Sequence, residues 1–189
     1  TKAEYRPIPT PSRPFEVIHV DHKGVLPRSG RYTNILVVVC ALTRFTLYIP
    51  VANVTAQETH RALMARVFSL FGYPLVMVSD NGPAFCSDLQ KHMAEFWGFR
   101  HIPILPYNAN ANGTAEASVK RIKTLLDRHT TDYAEWHRVL PLAQLQLNSH
   151  THSGTEVSPF MALYGYEPFN VAQLENPALL PADGCGSEF

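Results

Sequence analysis

The run Thr33-Asn34-Ile35-Leu36-Val37-Val38-Val39-Cys40 decides the architecture. Apolar, mostly β-branched side chains occupy both parities of it, so a strand here must be covered on both faces. Upstream, Val17 to Asp21 alternates apolar and polar residues as a short first strand. Downstream, Phe45 to Val51 reads as a third strand that ends near Pro50. The gaps between the three are short enough for antiparallel, hairpin-like pairing. A helix follows: Thr55 and Glu58 form a capping box, Leu63, Val67, Leu70 and Phe71 share a stripe, and Gly72 closes it. Leu75 to Ser79 is a fourth strand. Ser87 and Gln90 cap the next helix, with Leu89, Met93 and Phe96 expected inward and Gly98 as its stop. Arg100 to Leu105 is a fifth strand. A long helix from about Thr114, a Trp136-bearing helix and a short helix between Ser158-Pro159 and Gly165 complete the order. Three meandering strands and two helix-linked ones predict an α/β fold, a five-stranded mixed sheet with helices on both faces.

The chain has 189 residues, which suits a single domain. Hydrophobic residues make up 46% and charged residues 17%, a composition that excludes disorder for most of the chain. Sixteen basic and sixteen acidic side chains cancel, so nucleic-acid binding has to come from a local patch rather than a global field. The longest apolar run, Ile35 to Leu42, is far short of the ~20 residues that span a bilayer, and no membrane association is expected. Cys40, Cys86 and Cys185 are odd in number and lack CxxC spacing, which fits a reducing compartment. Residues 1–14 carry four prolines and read as a linker, residues 15–168 as the folded core, and 169–189 as a tail. Within that tail, Gly186-Ser187-Glu188-Phe189 reads as translated cloning sites.

Three carboxylates stand out by position. Asp21 sits late in the first strand, Asp80 at the carboxyl end of the fourth before Asn81-Gly82, and Glu116 in the first turn of the long helix. Singly, each reads as a turn or helix-dipole residue. If the first and fourth strands are neighbours, however, Asp21 and Asp80 converge and the helix brings Glu116 alongside. Two like charges ~4 Å apart cost about 1 kcal/mol in water and several times more near a protein surface, so such a trio calls for a cation. Hard oxygen donors select Mg²⁺ or Mn²⁺, and two such ions suit in-line displacement at phosphorus.

These residues sit in stretches that resemble a known family. His19-Val20-Asp21, Ser79-Asp80-Asn81-Gly82-Pro83-Ala84-Phe85 and Asn112-Gly113-Thr114-Ala115-Glu116 are similar to the catalytic core of retroviral and Ty3/gypsy-type retrotransposon integrases, the DD(35)E polynucleotidyl transferases. Thirty-five residues separate Asp80 from Glu116. Trp136, Leu140-Pro141, Asn148, Ser158-Pro159-Phe160 and Tyr164-Gly165 extend the likeness over roughly residues 14–168. The resemblance implies an RNase H-like fold in which Asp21, Asp80 and Glu116 hold two Mg²⁺ or Mn²⁺ ions. It implies 3′ processing of the element's DNA ends and strand transfer into target DNA. It further implies a homo-dimer or higher oligomer, flanking integrase domains beyond this core, and action in the nucleus or in a virus-like particle or virion.

The chain departs from the family pattern in places. Cys40 or Ala41 stands where an Asp is common, Asn108-Ala109-Asn110 replaces His-Pro-Gln, and Ala117-Ser118 replace basic or aromatic residues. A domesticated, non-catalytic core used for self-association or DNA binding is therefore the alternative reading. On the long helix, Ala115, Val119, Ile122 and Leu126 form the stripe expected to face the core. Lys120 and Lys123 follow Glu116 at i+4 and i+7 and are the candidate contacts to DNA phosphates, with Asn112 and Gly113 in the preceding loop. An ordinary solvated helix face is the plainer meaning of that spacing. His19 and His22 flank Asp21 and raise a rival zinc or iron site, but on an alternating strand His22 points away from the other two.

Overall fold

In the computed structural model, residues 8–24, 26–104, 117–118, 120–124, 126, 135–151 and 156–168 are described. The decisive run forms β2 (Asn34–Cys40), and all seven of its residues are buried. It pairs antiparallel with β1 (Val17–Lys23) and with β3 (Thr46–Val51). Parallel pairing then adds β4 (Val76–Ser79) to β1 and β5 (Arg100–Pro103) to β4, for a strand order β3-β2-β1-β4-β5. The sheet is five-stranded and mixed, as expected.

Strand alternation divides the interior into two layers. Ile18, Val20, Leu36, Val38, Leu47, Ile49 and Met77 lie on one face with Leu63, Val67, Phe68, Phe85 and Ala94. These last belong to α1 (Ala56–Leu63, continuing through a π turn at Met64–Phe68 and a last turn at Ser69–Phe71), α2 (Pro83–Cys86) and α3 (Asp88–Trp97). The other face carries Ile35, Val37, Val39 and Tyr48 beneath Ile122, Leu126, Trp136, Leu140 and Ala143. These come from α4, helical at its described residues 117–118, 120–124 and 126, and from α5 (Trp136–Ser149). A third group, Val17, Val76 and Val78, is covered in part by Ile8 from the Pro-rich lead-in. The short α6 (Pro159–Tyr164) is capped as read: Ser158 Oγ accepts from the Met161 N–H, and Gly165 closes the helix at φ +81°.

Three expectations about the helices need correction. Thr55 Oγ1 does accept from the Glu58 N–H, but the Glu58 carboxylate turns to the Ala52 N–H and to Arg61, so only half of the box forms. Leu70 is 66% exposed rather than part of the α1 stripe. The π turn before it adds residues to one turn and rotates the following positions, so Phe68 takes the inward place. On α3 the buried residues are Gln90 and Ala94, while Leu89 and Phe96 face solvent, Phe96 at 77% exposure. Small Ala94 lets α3 approach closely, and apolar residues scattered on both sides of a ten-residue helix leave its phase ambiguous from sequence.

The β3 edge is closed by side chains of α5. Asn148 accepts from the Thr46 N–H and donates to the Thr46 carbonyl, both at 2.8 Å, and Gln144 Oε1 accepts from the Tyr48 N–H at 2.8 Å. An edge strand otherwise presents such groups as a template for pairing. The Trp136 indole N–H donates to the Pro27 carbonyl at 2.7 Å and ties the start of α5 to the β1–β2 connection.

Candidate active site

The parallel β1–β4 ladder ends with Val20 opposite Ser79. Asp21 and Asp80 each follow that pair by one residue, so the two aspartates stand side by side where the pairing of β1 with β4 ends, Asp21 still within β1 and Asp80 just past β4. Neighbouring strands lie about 4.8 Å apart, which sets the scale of their separation. Asp21 also pairs with Val37 in β2, and Val37 with Tyr48 in β3, so the three form one row across the sheet. The row belongs to the face covered by α4 and α5.

Asp80 is exposed, and its carboxylate accepts the Gly82 N–H at 3.0 Å. This turn does not use glycine for a left-handed conformation, since Gly82 has φ −58°. Its missing Cβ matters instead: a methyl there would stand 3.0 Å from Asp80 Oδ1. Behind Asp80, Ser79 Oγ donates to the Asp80 carbonyl and lies 2.8 Å from His101 Nε2. Burial holds the His101 imidazole below its ordinary value.

His22 points to the opposite face from Asp21, as alternation requires. Its Nε2 lies 3.0 Å from Thr59 Oγ1 of α1, and its ring stacks on Phe85 at 4.8 Å. Burial lowers its pKa to about 4, partly offset by the negative charge of Asp80. A neutral imidazole engaged by Thr59 and Phe85 is a bracket between α1, β1 and the segment after Asp80. Among the described residues no three His, Cys, Asp or Glu side chains cluster as a metal site.

Of the remaining candidates, Glu116, Asn112 and Gly113 lie outside the described residues, as do Ala115 and Val119 of the expected stripe. Ile122 and Leu126 of that stripe are buried against Val37 and Val39, so α4 runs over the Asp21 face of the sheet. The Tyr48 hydroxyl donates to the Ser118 carbonyl at 3.2 Å, anchoring α4 two residues after Glu116. Lys120 and Lys123 are exposed on α4. Ser118 is buried, so its departure from the family pattern faces the sheet rather than solvent.

Residues 11–109 match the family model for the integrase core domain. The chain belongs to the integrase core domain family. Members of this family are divalent-metal-dependent polynucleotidyl transferases. In Schizosaccharomyces pombe, the transposon Tf2-3 and Tf2-4 polyproteins are each 30% identical to it over 175 residues. That alignment covers 92% of this chain and 13% of each polyprotein, so the chain spans about an eighth of these relatives. Two solved structures share the fold. The magnesium-bound HTLV-2 integrase catalytic core domain in its trimeric form has a TM-score of 0.65 at 20% identity, over 81% of this chain and 99% of that one. The simian T-cell lymphotropic virus intasome in complex with PP2A regulatory subunit B56 gamma has a TM-score of 0.68 at 18% identity, over 86% of this chain and 60% of that one. The RNase H-like architecture expected of the sequence is thus the observed one.

The donor chemistry of this integrase core fits a divalent cation. Two carboxylates on neighbouring strands where their pairing ends, one of them exposed, are hard oxygen donors whose mutual repulsion a cation relieves. Sequence reasoning missed Tyr48, Gln144 and Asn148 as the residues that hold α4 and α5 in place. Gln144 and Asn148 at i and i+4 are the available signal, because that spacing aims two amides at one line of backbone.

Proposed function

We propose that this integrase core carries out divalent-metal-dependent cleavage of DNA 3′ ends and strand transfer into target DNA, with Asp21, Asp80 and Glu116 as the metal-holding catalytic residues. The observation that carries the proposal is the placement of Asp21 beside Asp80, one residue past the last β1–β4 pair. Bound Mg²⁺ or Mn²⁺, two ions in the family's manner, would supply the Lewis acidity that activates an attacking oxygen and stabilises the leaving one. The chain's own residues prepare that site. Asp80 is oriented by the Gly82 N–H, and Glu116 precedes the point where Tyr48 fastens α4 to the sheet. Lys120 and Lys123, with Asn112 and Gly113, are proposed to hold the phosphates of the DNA. The active assembly is proposed to be a homo-oligomer on DNA, completed by flanking integrase domains, with residues 15–168 as the core between linker and tail. Its place of action is proposed to be the nucleus, and also the virus-like particle or virion.

The test is a branched DNA that mimics the strand-transfer product, incubated with the chain and Mg²⁺ or Mn²⁺ beside Asp80→Asn and Glu116→Gln. Metal-dependent resealing lost in both variants supports the proposal. Absence of resealing together with absence of carboxylate-dependent metal binding by titration calorimetry would overturn it.

A further inference from the structure

Away from the carboxylates, a cleft of about 270 Å³ opens where the edge strand β3 passes between α1 and α5. Arg31, Arg61 and Arg66 line it, together with His137, Gln144 and Tyr48. Beside these three guanidinium groups stands Glu58, which accepts from Arg61 Nε at 2.8 Å and Nη2 at 2.7 Å and is also held low by the charge of Arg31. Three positive charges thus face one negative charge. Among the described residues no carboxylate forms an ion pair with Arg31 or Arg66.

Two side-chain groups of the cleft are already engaged. Gln144 Oε1 takes the Tyr48 N–H, and His137 Nδ1 lies 2.7 Å from Ser29 Oγ. Ser29 Oγ also accepts the His137 amide at 3.3 Å, which fastens this end of α5 to the β1–β2 connection. The side chains still offer donors: the Gln144 amide nitrogen, the Arg31 and Arg66 guanidinium groups, and the Arg61 Nη1 that Glu58 does not engage. A donor-rich, net-positive cleft selects an oxyanion, and guanidinium groups match phosphate oxygens in bidentate pairs. The volume is below the ~300–1,000 Å³ usual for drug-sized ligands, so the occupant is small.

We propose that this cleft is a phosphate-binding site separate from the carboxylates, formed by Arg31, Arg61 and Arg66 at the β3 edge. It takes a small phosphate oxyanion, either free or borne on a nucleic-acid end. Tyr48 on its wall lies two strands from Asp21, roughly 10 Å across the sheet. The site needs no divalent ion, so it stands or falls independently of the proposed catalysis.

Titration calorimetry of the chain with pyrophosphate, at low salt and in EDTA, tests it. The expected result is saturable binding that weakens about tenfold in Arg31→Gln and in Arg66→Gln. Arg66→Lys should recover part of that loss, and Asp80→Asn should bind like the unaltered chain. Both substituted arginines are exposed, and matching thermal melts establish that the variants fold. Repeating the titration with a 5′-phosphorylated DNA duplex present identifies the source: displacement of pyrophosphate marks a nucleic-acid phosphate, and no displacement marks a free oxyanion. Failure of the chain to bind pyrophosphate or the phosphorylated duplex in this cleft, or equal affinity in the Arg→Gln variants, overturns the proposal.

Discussion

The Tyr48 hydroxyl donates to the carbonyl oxygen of Ser118 at 3.2 Å, joining the edge strand to the helix that follows Glu116. The phenol is buried, and burial raises its pKa, so it stays a neutral donor across the working pH range. Tyr48→Phe keeps the ring and deletes the donor. The expected cost is about 1 kcal/mol in urea unfolding. An unchanged midpoint would show that this bond does not hold α4 to the sheet.

Asp80→Asn retains an oxygen to accept the Gly82 N–H but removes a negative charge next to Asp21. In EDTA the variant should unfold at the same denaturant concentration or slightly higher, a gain of up to ~1 kcal/mol, because repulsion is relieved. Added Mg²⁺ should raise the melting temperature of the unaltered chain and leave that of the variant where it was. Equal stabilisation of both would remove Asp80 from the ligand set.

Gly82→Ala places a methyl 3.0 Å from Asp80 Oδ1 at a position whose φ of −58° any residue can adopt. Backbone strain is therefore absent, and the carboxylate must move. Divalent-metal affinity should fall about tenfold, as for other residues that orient ligands, while stability changes by about 0.5 kcal/mol or less. Calorimetry with Mn²⁺ on a folded variant checks this, and unaltered affinity would sink it.

Acid should destabilise the fold well before the carboxylates titrate. The pKa of His22 is about 4 in the folded state against 6.5 for the ordinary group, and burial lowers His101 as well. Below pH 6.5 the unfolded chain takes up protons that the folded chain does not. Stability is thus fully present above that pH and is lost as pH falls toward about 4, at ~1.4 kcal/mol per pH unit for one such group. Urea midpoints in EDTA between pH 7.5 and 4.5 should show this slope, and His22→Gln should flatten it.

Lys123→Glu reverses a charge on an exposed position of α4. Affinity for a DNA end should drop more at low salt than at high salt, since exposed charges are screened beyond about 10 Å at 0.1 M. Filter binding or anisotropy over a salt series reads it, and identical curves would reduce this helix face to solvent decoration.

Local chemistry explains how much of this was legible in the chain. Thr33 to Cys40 has no polar face, so its double burial followed from composition alone, and the Ser158 and Gly165 caps are written in single residues. The placement of Asp80 was legible too, because it ends an apolar run just before Asn81-Gly82, whereas Asp21 lies within β1, two residues before its end. The inward sides of α1 and α3 were not. A π turn at Met64–Phe68 shifted Leu70 outward, and α3 buried Gln90 and Ala94 while leaving Phe96 in solvent. Helical phase depends on how closely a neighbour can approach, which a single helix does not encode.

The sequence by itself determined the elements, their order and the carboxylates available for chemistry, since propensity, capping and alternation act between near neighbours in the chain. Only the tertiary structure decided that β1 pairs parallel with β4, so that Asp21 meets Asp80 across fifty-eight intervening residues. It alone decided that Asn148 closes the β3 edge and that Arg31, Arg61 and Arg66 line one cleft. Those relations depend on which surfaces bury each other, and burial is settled by the packing of the whole chain.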